Sequence, residues 1–179
     1  MPENNTVHIR QLTAQDTAAL QLSNEPFLLH GRMIVTRDDA AWHYRIEETA
    51  TTTLQTFPEE HYQYAEVAEK GFALGAFTGD VPVGLAIYQA AFFKYLYLDD
   101  LKVSQAFRHQ GIARQLLAAA IPIAKHHGYA GVSTIGQDNN IDACQFYLAN
   151  GFRIGGLNTR DYNHTVQEGK SDIYFYWDF

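Results

Sequence analysis

The sequence predicts a mixed α/β (α+β) fold, a mixed sheet flanked by helices, and three observations carry that prediction. Residues 72–103 read as three successive strands joined by tight turns, a meander. Beyond them the pattern changes to helix alternating with strand, and this succession indicates a mixed sheet. The length of 179 residues suits one domain, residues 1–179, and 46% apolar with 18% charged residues is a globular composition.

Each element has its own signal. Val7-His8-Ile9-Arg10-Gln11-Leu12 alternates and reads as a first strand. Thr13 offers a helix N-cap, with Asp16 as its capping-box partner. Residues 32–35 and 42–48 read as strands around the turn Arg37-Asp38-Asp39. Pro58-Glu59-Glu60 has the proline and the acids of a first helical turn, predicting a helix that ends at Gly71. Residues 72–77 and 83–92 then flank the turn Thr78-Gly79-Asp80. After a turn containing Lys94, residues 95–103 form a strand rich in aromatic and branched side chains, and hence central. Residues 112–127 set Ile112, Leu116, Ala119, Ala120 and Ile123 on one helical face, with Gly128 as the stop. Pro122 inside that helix should kink it or leave a gap in its hydrogen bonds. A strand at 130–135, a helix at 141–149 capped by Asn150-Gly151, and paired strands at 152–159 and 173–179 complete the chain.

Bulk properties narrow the function. A net charge of −7 argues against nucleic acid, which needs a basic footprint. An acidic surface attracts cations such as polyamines, though solubility alone also accounts for it. Cys144 is the sole cysteine, so neither an intramolecular disulfide nor a cysteine metal cluster can form, and the histidines show no metal-ligand spacing. No metal is expected. Met1-Pro2-Glu3-Asn4-Asn5-Thr6 lacks the basic start and apolar stretch of a leader, and no apolar run is long enough to span a bilayer. These features read as a cytoplasmic chain without a membrane partner.

Chemistry concentrates in two segments. Arg108-His109-Gln110-Gly111-Ile112-Ala113 follows a strand and opens a helix, a turn whose backbone N–H groups suit a pyrophosphate, with the charge of Arg108 beside it. It lacks the Lys-Ser/Thr pair of a P-loop and the glycine spacing of a dinucleotide fingerprint. Downstream stand Asn140, Ala143, Phe146-Tyr147 and Gly151-Phe152. An R-x-x-G-x-G/A turn followed by N-x-x-A-x-x-F-Y-x-x-x-G-F resembles the GNAT acetyltransferase family, from Phe72 to the C-terminus. Within it, Asp99-Asp100-Leu101-Lys102-Val103, Gln137-Asp138-Asn139-Asn140, Ala143-Cys144, Gly155-Gly156-Leu157 and Tyr174-Phe175-Tyr176-Trp177 are similar to the streptothricin acetyltransferases. Those relatives carry a glutamate just before the matching glutamine, where this chain has Ile135-Gly136-Gln137.

The resemblance implies a V-splayed central sheet and acetyl-CoA as co-substrate. It implies that Arg108, His109, Gln110, Gly111, Ile112 and Ala113 hold the pyrophosphate. Leu101 and Val103 would offer main-chain groups to the pantetheine arm, and Asn140 would lie beside the CoA groove. Tyr147 matches the tyrosine that protonates the leaving thiolate. Asp99 matches the acidic position and is preferred over Asp100 for binding the acceptor's ammonium and taking its proton, since neighbours on a strand point to opposite faces. A backbone N–H of the splayed strand would hold the oxyanion. The implied reaction is direct acetyl transfer to a primary amine of a cationic small molecule of the streptothricin kind.

Plainer readings stand beside these. Tyr147 alone could be a core tyrosine, and Asp99-Asp100 a solvated strand end. Cys144 reads as a packing residue rather than a nucleophile. The stripe Tyr174 to Trp177 reads as core and sheet face, or as the seam of a homodimer. Acetylation of a peptide or protein amine, and a non-catalytic CoA-binding module, remain the alternative functions. Glu47, Glu48, Glu59 and Glu60 are the acids available to replace the glutamate missing at Ile135.

Overall fold

The structure is a computed structural model that describes residues 6–179; the leader expectation rests on residues 1–5, outside the described residues. In chain order the first elements are β1 (Val7–Gln11), α1 (Thr17–Leu20), β2 (Phe27–Arg37), β3 (Trp42–Gln55), α2 (Tyr64–Lys70) and β4 (Gly71–Thr78). There follow β5 (Val81–Ala90), β6 (Tyr95–Val103), α3 (Ile112–His126), β7 (Gly131–Gln137), α4 (Ile141–Ala149), β8 (Arg153–Asn158) and β9 (Asp172–Asp178). The predicted class holds: the strands make a mostly antiparallel sheet accompanied by helices. Two compact units divide the chain, one of residues up to Glu25, Phe57–Val132 and Phe179, the other of Pro26–Thr56 and Ser133–Asp178. Among the described residues no helix is long and apolar enough to cross a membrane.

In the first unit four strands run antiparallel in the order β1-β4-β5-β6. Alternation along β5 serves two packings. Leu85 and Ile87 join Ala73, Phe77, Leu12, Leu20 and Val67 in a core under α1 and α2. On the other face Gly84 lies against Ile112 and Leu116 of α3, and the Tyr88 hydroxyl donates to the Leu116 carbonyl at 3.4 Å. Pro122 lies inside α3 as predicted, and Gly128 ends the helix with φ +80°, the left-handed conformation that glycine adopts without strain. Gly71, at the junction of α2 and β4, is required for a different reason: a β-carbon there would overlap the Tyr88 carbonyl oxygen of the paired strand. Gly71→Ala is expected to destabilise the chain by about 1–3 kcal/mol through forced backbone displacement, read from chemical denaturation.

One irregularity matters for the site. Ile87 pairs with Asp100 but Tyr88 pairs with Leu98, so Asp99 is the extra residue of a β-bulge in β6. A bulge re-aims side chains and breaks the two-residue alternation locally.

In the second unit β2 and β3 form a separate antiparallel pair, and three strands take the order β7-β9-β8. Tyr147 of α4 packs its ring 5.4 Å from both Phe152 and Phe175, centroid to centroid. Gly136 leaves room there for Cys144 and Phe175, each about 3.0 Å from where its β-carbon would stand.

Several boundaries differ from expectation. Residues 58–63 are not helical, and α2 starts at Tyr64. His61 adopts φ +54°, outside the helical region, and Asn24 binds the Pro58 carbonyl at 2.7 Å and Glu60 at 2.9 Å, so tertiary contacts override the local helix signal. Thr13 is not an N-cap. The helix begins after Asp16, whose carboxylate accepts from the Thr13 N–H at 2.7 Å and from Arg10. β2 and β3 run well beyond residues 32–35 and 42–48, and β5 ends at Ala90, before Phe92. A 3-10 turn at Gln105–Phe107 had no sequence signal.

Candidate active site

Opposite the bulge of β6 the first unit gathers charge. Lys102 points its Nζ at Asp100 Oδ2 (2.9 Å), Glu60 Oε2 (2.8 Å) and Asn24 Oδ1 (3.0 Å). The Lys102 ammonium also lies 5.7 Å from the centre of the Tyr62 ring. Asp99 accepts from Gln89 Nε2 at 2.7 Å. Gln89 shares the face of Ile87 and Leu85 on β5, so the bulge sends Asp99 to the same side as Asp100. The expectation that strand alternation would turn the two aspartates to opposite faces is therefore corrected.

Burial dominates their electrostatics. It pushes the Asp99 carboxyl above the ordinary range, with Glu60 adding repulsion and the Gln89 hydrogen bond and Lys70 opposing. Burial also raises Asp100, against the attraction of Lys102. For Glu60 the hydrogen bonds from Lys102 and Asn24 outweigh burial, and its acid stays below the usual value. Lys102 is largely covered, and burial alone would lower its pKa, but Asp100 and Glu60 overcome that penalty and hold it above normal. Burial and then the nearby Asp100 and Asp99 charges drive the Tyr62 hydroxyl far above the usual phenol. Neighbouring carboxylates with raised pKa values are the mark of a site that handles protons or cations.

Elsewhere in this unit lies the turn before α3. His109 and Gly111 have φ of +60° and +79°, and Gly111 caps α3 without a side-chain hydrogen bond. The N–H groups of the first helical turn, including those of Ile112 and Ala113, are thus left to other acceptors. Nothing lies within 4 Å of where a Gly111 β-carbon would stand, so the backbone there is open to approach. These donors fit a pyrophosphate. The Arg108 guanidinium donates to the Val103 carbonyl at 3.0 Å and pairs with Glu25 at 3.3 Å, tying the turn to the end of β6. Gln110 donates to the Ala106 carbonyl at 3.2 Å. Leu101 and Val103 stand opposite Ala86 and Gly84.

The remaining two expected residues are in the second unit. Asn140 caps α4, its Oδ1 accepting from the Ala143 N–H at 3.3 Å. Tyr147 is buried among Phe146, Phe152 and Phe175. Cys144 is fully buried and its thiol is pushed up to about 12, chiefly by burial. Near the position of the missing glutamate, Gln137 donates to the Tyr162 hydroxyl at 2.9 Å, which donates to Asp172 at 2.8 Å. Burial, with Asp172, pushes the Tyr162 hydroxyl up to about 12. Arg32 binds the buried Asp138 carboxylate.

Sequence reasoning missed Lys102, on the same strand as the aspartates, and Asn24 and Tyr62, which reach Lys102 from segments remote in the chain. Lys102 alone had a readable signal: two positions after Asp100, it shares a strand face with an opposite charge. Of the acids considered as replacements for the missing glutamate, Glu60 joins Asp100 through Lys102. Glu59 accepts from the Asn24 N–H at 3.1 Å, and Glu47 pairs with Arg45.

Comparison with known proteins bears on this arrangement. The sequence profile described as the acetyltransferase (GNAT) family matches residues 38–152. Streptothricin acetyltransferase A of Bacillus subtilis is 27% identical over 172 residues, 96% of this chain and 99% of that protein. A Bacillus anthracis str. Ames protein solved in complex with acetyl coenzyme A superposes with TM-score 0.88 at 23% identity, covering 97% of this chain and all of that one. A nourseothricin acetyltransferase structure gives 0.79 at 19% identity, covering 96% and 98%. The chain belongs to the acetyltransferase (GNAT) family and is an acetyl-CoA-dependent N-acetyltransferase.

Proposed function

We propose that the enzyme acetylates a primary amine of a cationic small molecule of the streptothricin kind. The observation that carries this reading is the acid cluster of β6: Glu60, Asp99 and Asp100 around Tyr62, with Lys102 as the cation in contact. Three carboxylates against one ammonium favour a further cation. The names of two relatives support it as well, the Bacillus subtilis protein and an Escherichia coli streptothricin acetyltransferase 24% identical over 131 residues.

When bound, acetyl-CoA supplies the acyl group as a thioester activated toward amines. An amine with a pKa of about 10.4 arrives protonated and must lose a proton before it can attack. Asp99 binds the ammonium and accepts that proton, directly or through water; its raised pKa makes it a stronger base than an ordinary aspartate. The backbone N–H groups of the turn from Arg108 to Ala113 hold the pyrophosphate, main-chain groups of Leu101 and Val103 orient the pantetheine arm, and Asn140 keeps its end of α4 in place. Tyr147 gives its hydroxyl proton to the departing thiolate. The C–N bond forms and the C–S bond breaks, the second nitrogen proton restores the Tyr147 hydroxyl, and free CoA leaves as the thiol.

Gly111→Ala tests the turn. With φ of +79°, an alanine there is strained by about 1–2 kcal/mol although no atom obstructs it. The expected result is a severalfold rise in KM for acetyl-CoA, with KM for the amine unchanged. The acceptor is tested by acetyl-CoA-dependent release of CoA with streptothricin, polyamines, aminoglycosides and lysine peptides. Turnover with streptothricin is expected; turnover confined to another amine would remove the antibiotic from the reading and keep the chemistry.

A further inference from the structure

We propose that Lys102 is a positioning residue that sets how many ammonium groups the acceptor site takes: it is a tethered cation occupying one of two carboxylate seats. The proposal rests on the reading of the β6 cluster as the acceptor side, and deepens it.

A lysine ammonium has three N–H donors and no acceptor. Two of those of Lys102 go to Glu60 (2.8 Å) and Asn24 (3.0 Å), and the ammonium forms an ion pair with Asp100 Oδ2 at 2.9 Å. The side chain is 11% exposed, shielded beside Tyr62, and its partners are themselves largely covered, Asp100 at 15% and Glu60 at 31%. This is the coordination a primary ammonium ligand would receive, supplied by the chain itself. The other seat differs. Asp99 is the exposed member of the pair, its hydrogen bond comes from a neutral amide, and Lys70 acts on it only at longer range.

The bulge places both seats on one side of β6, within reach of one elongated ligand. With Lys102 in the inner seat, a second substrate ammonium finds it taken and meets a like charge. The outer seat at Asp99 then receives the ammonium that is to react. Lys102 also binds Glu60 and, through Asn24, the Pro58 carbonyl, which holds the non-helical segment bearing Tyr62 over the aspartates.

Pentylamine and cadaverine, equal in length but carrying one and two ammonium groups, are the probes. Their binding to the wild type and to Lys102→Met is measured by calorimetry, which needs no turnover. Vacating the inner seat should shift the affinity ratio toward cadaverine by about tenfold, and adding Glu60→Gln should cancel much of the gain. A ratio unchanged within about twofold would overturn the proposal. Should Lys102→Met not fold, Lys102→Gln, which keeps an amide donor toward Asp100 and Glu60, carries the same comparison. Failure of both to fold would assign Lys102 to the framework and equally overturn it. If the wild type binds pentylamine and the ratio does not move, only the role of Lys102 falls. A wild type that binds neither probe and acetylates no amine loses the acceptor reading itself.

Discussion

Asp99→Asn is expected to lower kcat/KM for the amine by about 10²–10³-fold, the usual contribution of a positioned general base. Asparagine keeps the shape and the contact with Gln89 but can neither attract the ammonium nor take its proton. The pH profile gives a second readout. Catalysis needs the ionised carboxylate, and burial raises its pKa, so the acid limb of kcat/KM should lie above the ordinary aspartate range and vanish in the variant. Asp100 is raised in the same direction, chiefly by burial. Asp100→Asn is the control, retaining the limb. The stability effect has the opposite sense. A carboxyl whose folded pKa exceeds its unfolded value stabilises at low pH, and that contribution is lost as pH rises through the interval between them. Asp99→Asn should therefore melt at or above the wild-type temperature at neutral pH. A variant that keeps activity within threefold would return Asp99-Asp100 to an ordinary polar strand end.

Tyr147→Phe should reduce kcat by about 10²-fold with little change in either KM, because the proton for the leaving thiolate is lost. The ring keeps its contacts with Phe152 and Phe175, so folding should be perturbed by less than about 1 kcal/mol. The sharp split between kcat and stability is what separates a catalytic tyrosine from a core one. Unchanged turnover would leave Tyr147 as packing alone.

What could be read from the sequence was what local chemistry determines. The turn before α3 and the stop after it depend on Gly111 and Gly128, whose positive φ is a property of the residues themselves. The meander was visible because β4, β5 and β6 are contiguous and strongly apolar. The failures share a cause. Pro58-Glu59-Glu60 has every local sign of a helix start, yet Asn24 and Lys102 capture its polar groups from positions remote in sequence. No residue type announces a bulge, so alternation divided Asp99 from Asp100 where the backbone unites them. Motif spacing drew attention to Tyr147 and to the turn, whereas the ring of acceptors around Lys102 spans residues 24 to 102 and exists only after folding.

Cys144 has a practical consequence. It is the chain's one thiol, fully covered and held protonated well past neutrality. Disulfide reagents attack thiolates, so the native enzyme should be nearly inert to them while liberated CoA reacts at once. Colour development in such a titration would then count product with almost no background from the catalyst. Any slow additional reaction would time the transient opening of the segment around α4, giving a built-in clock for local unfolding.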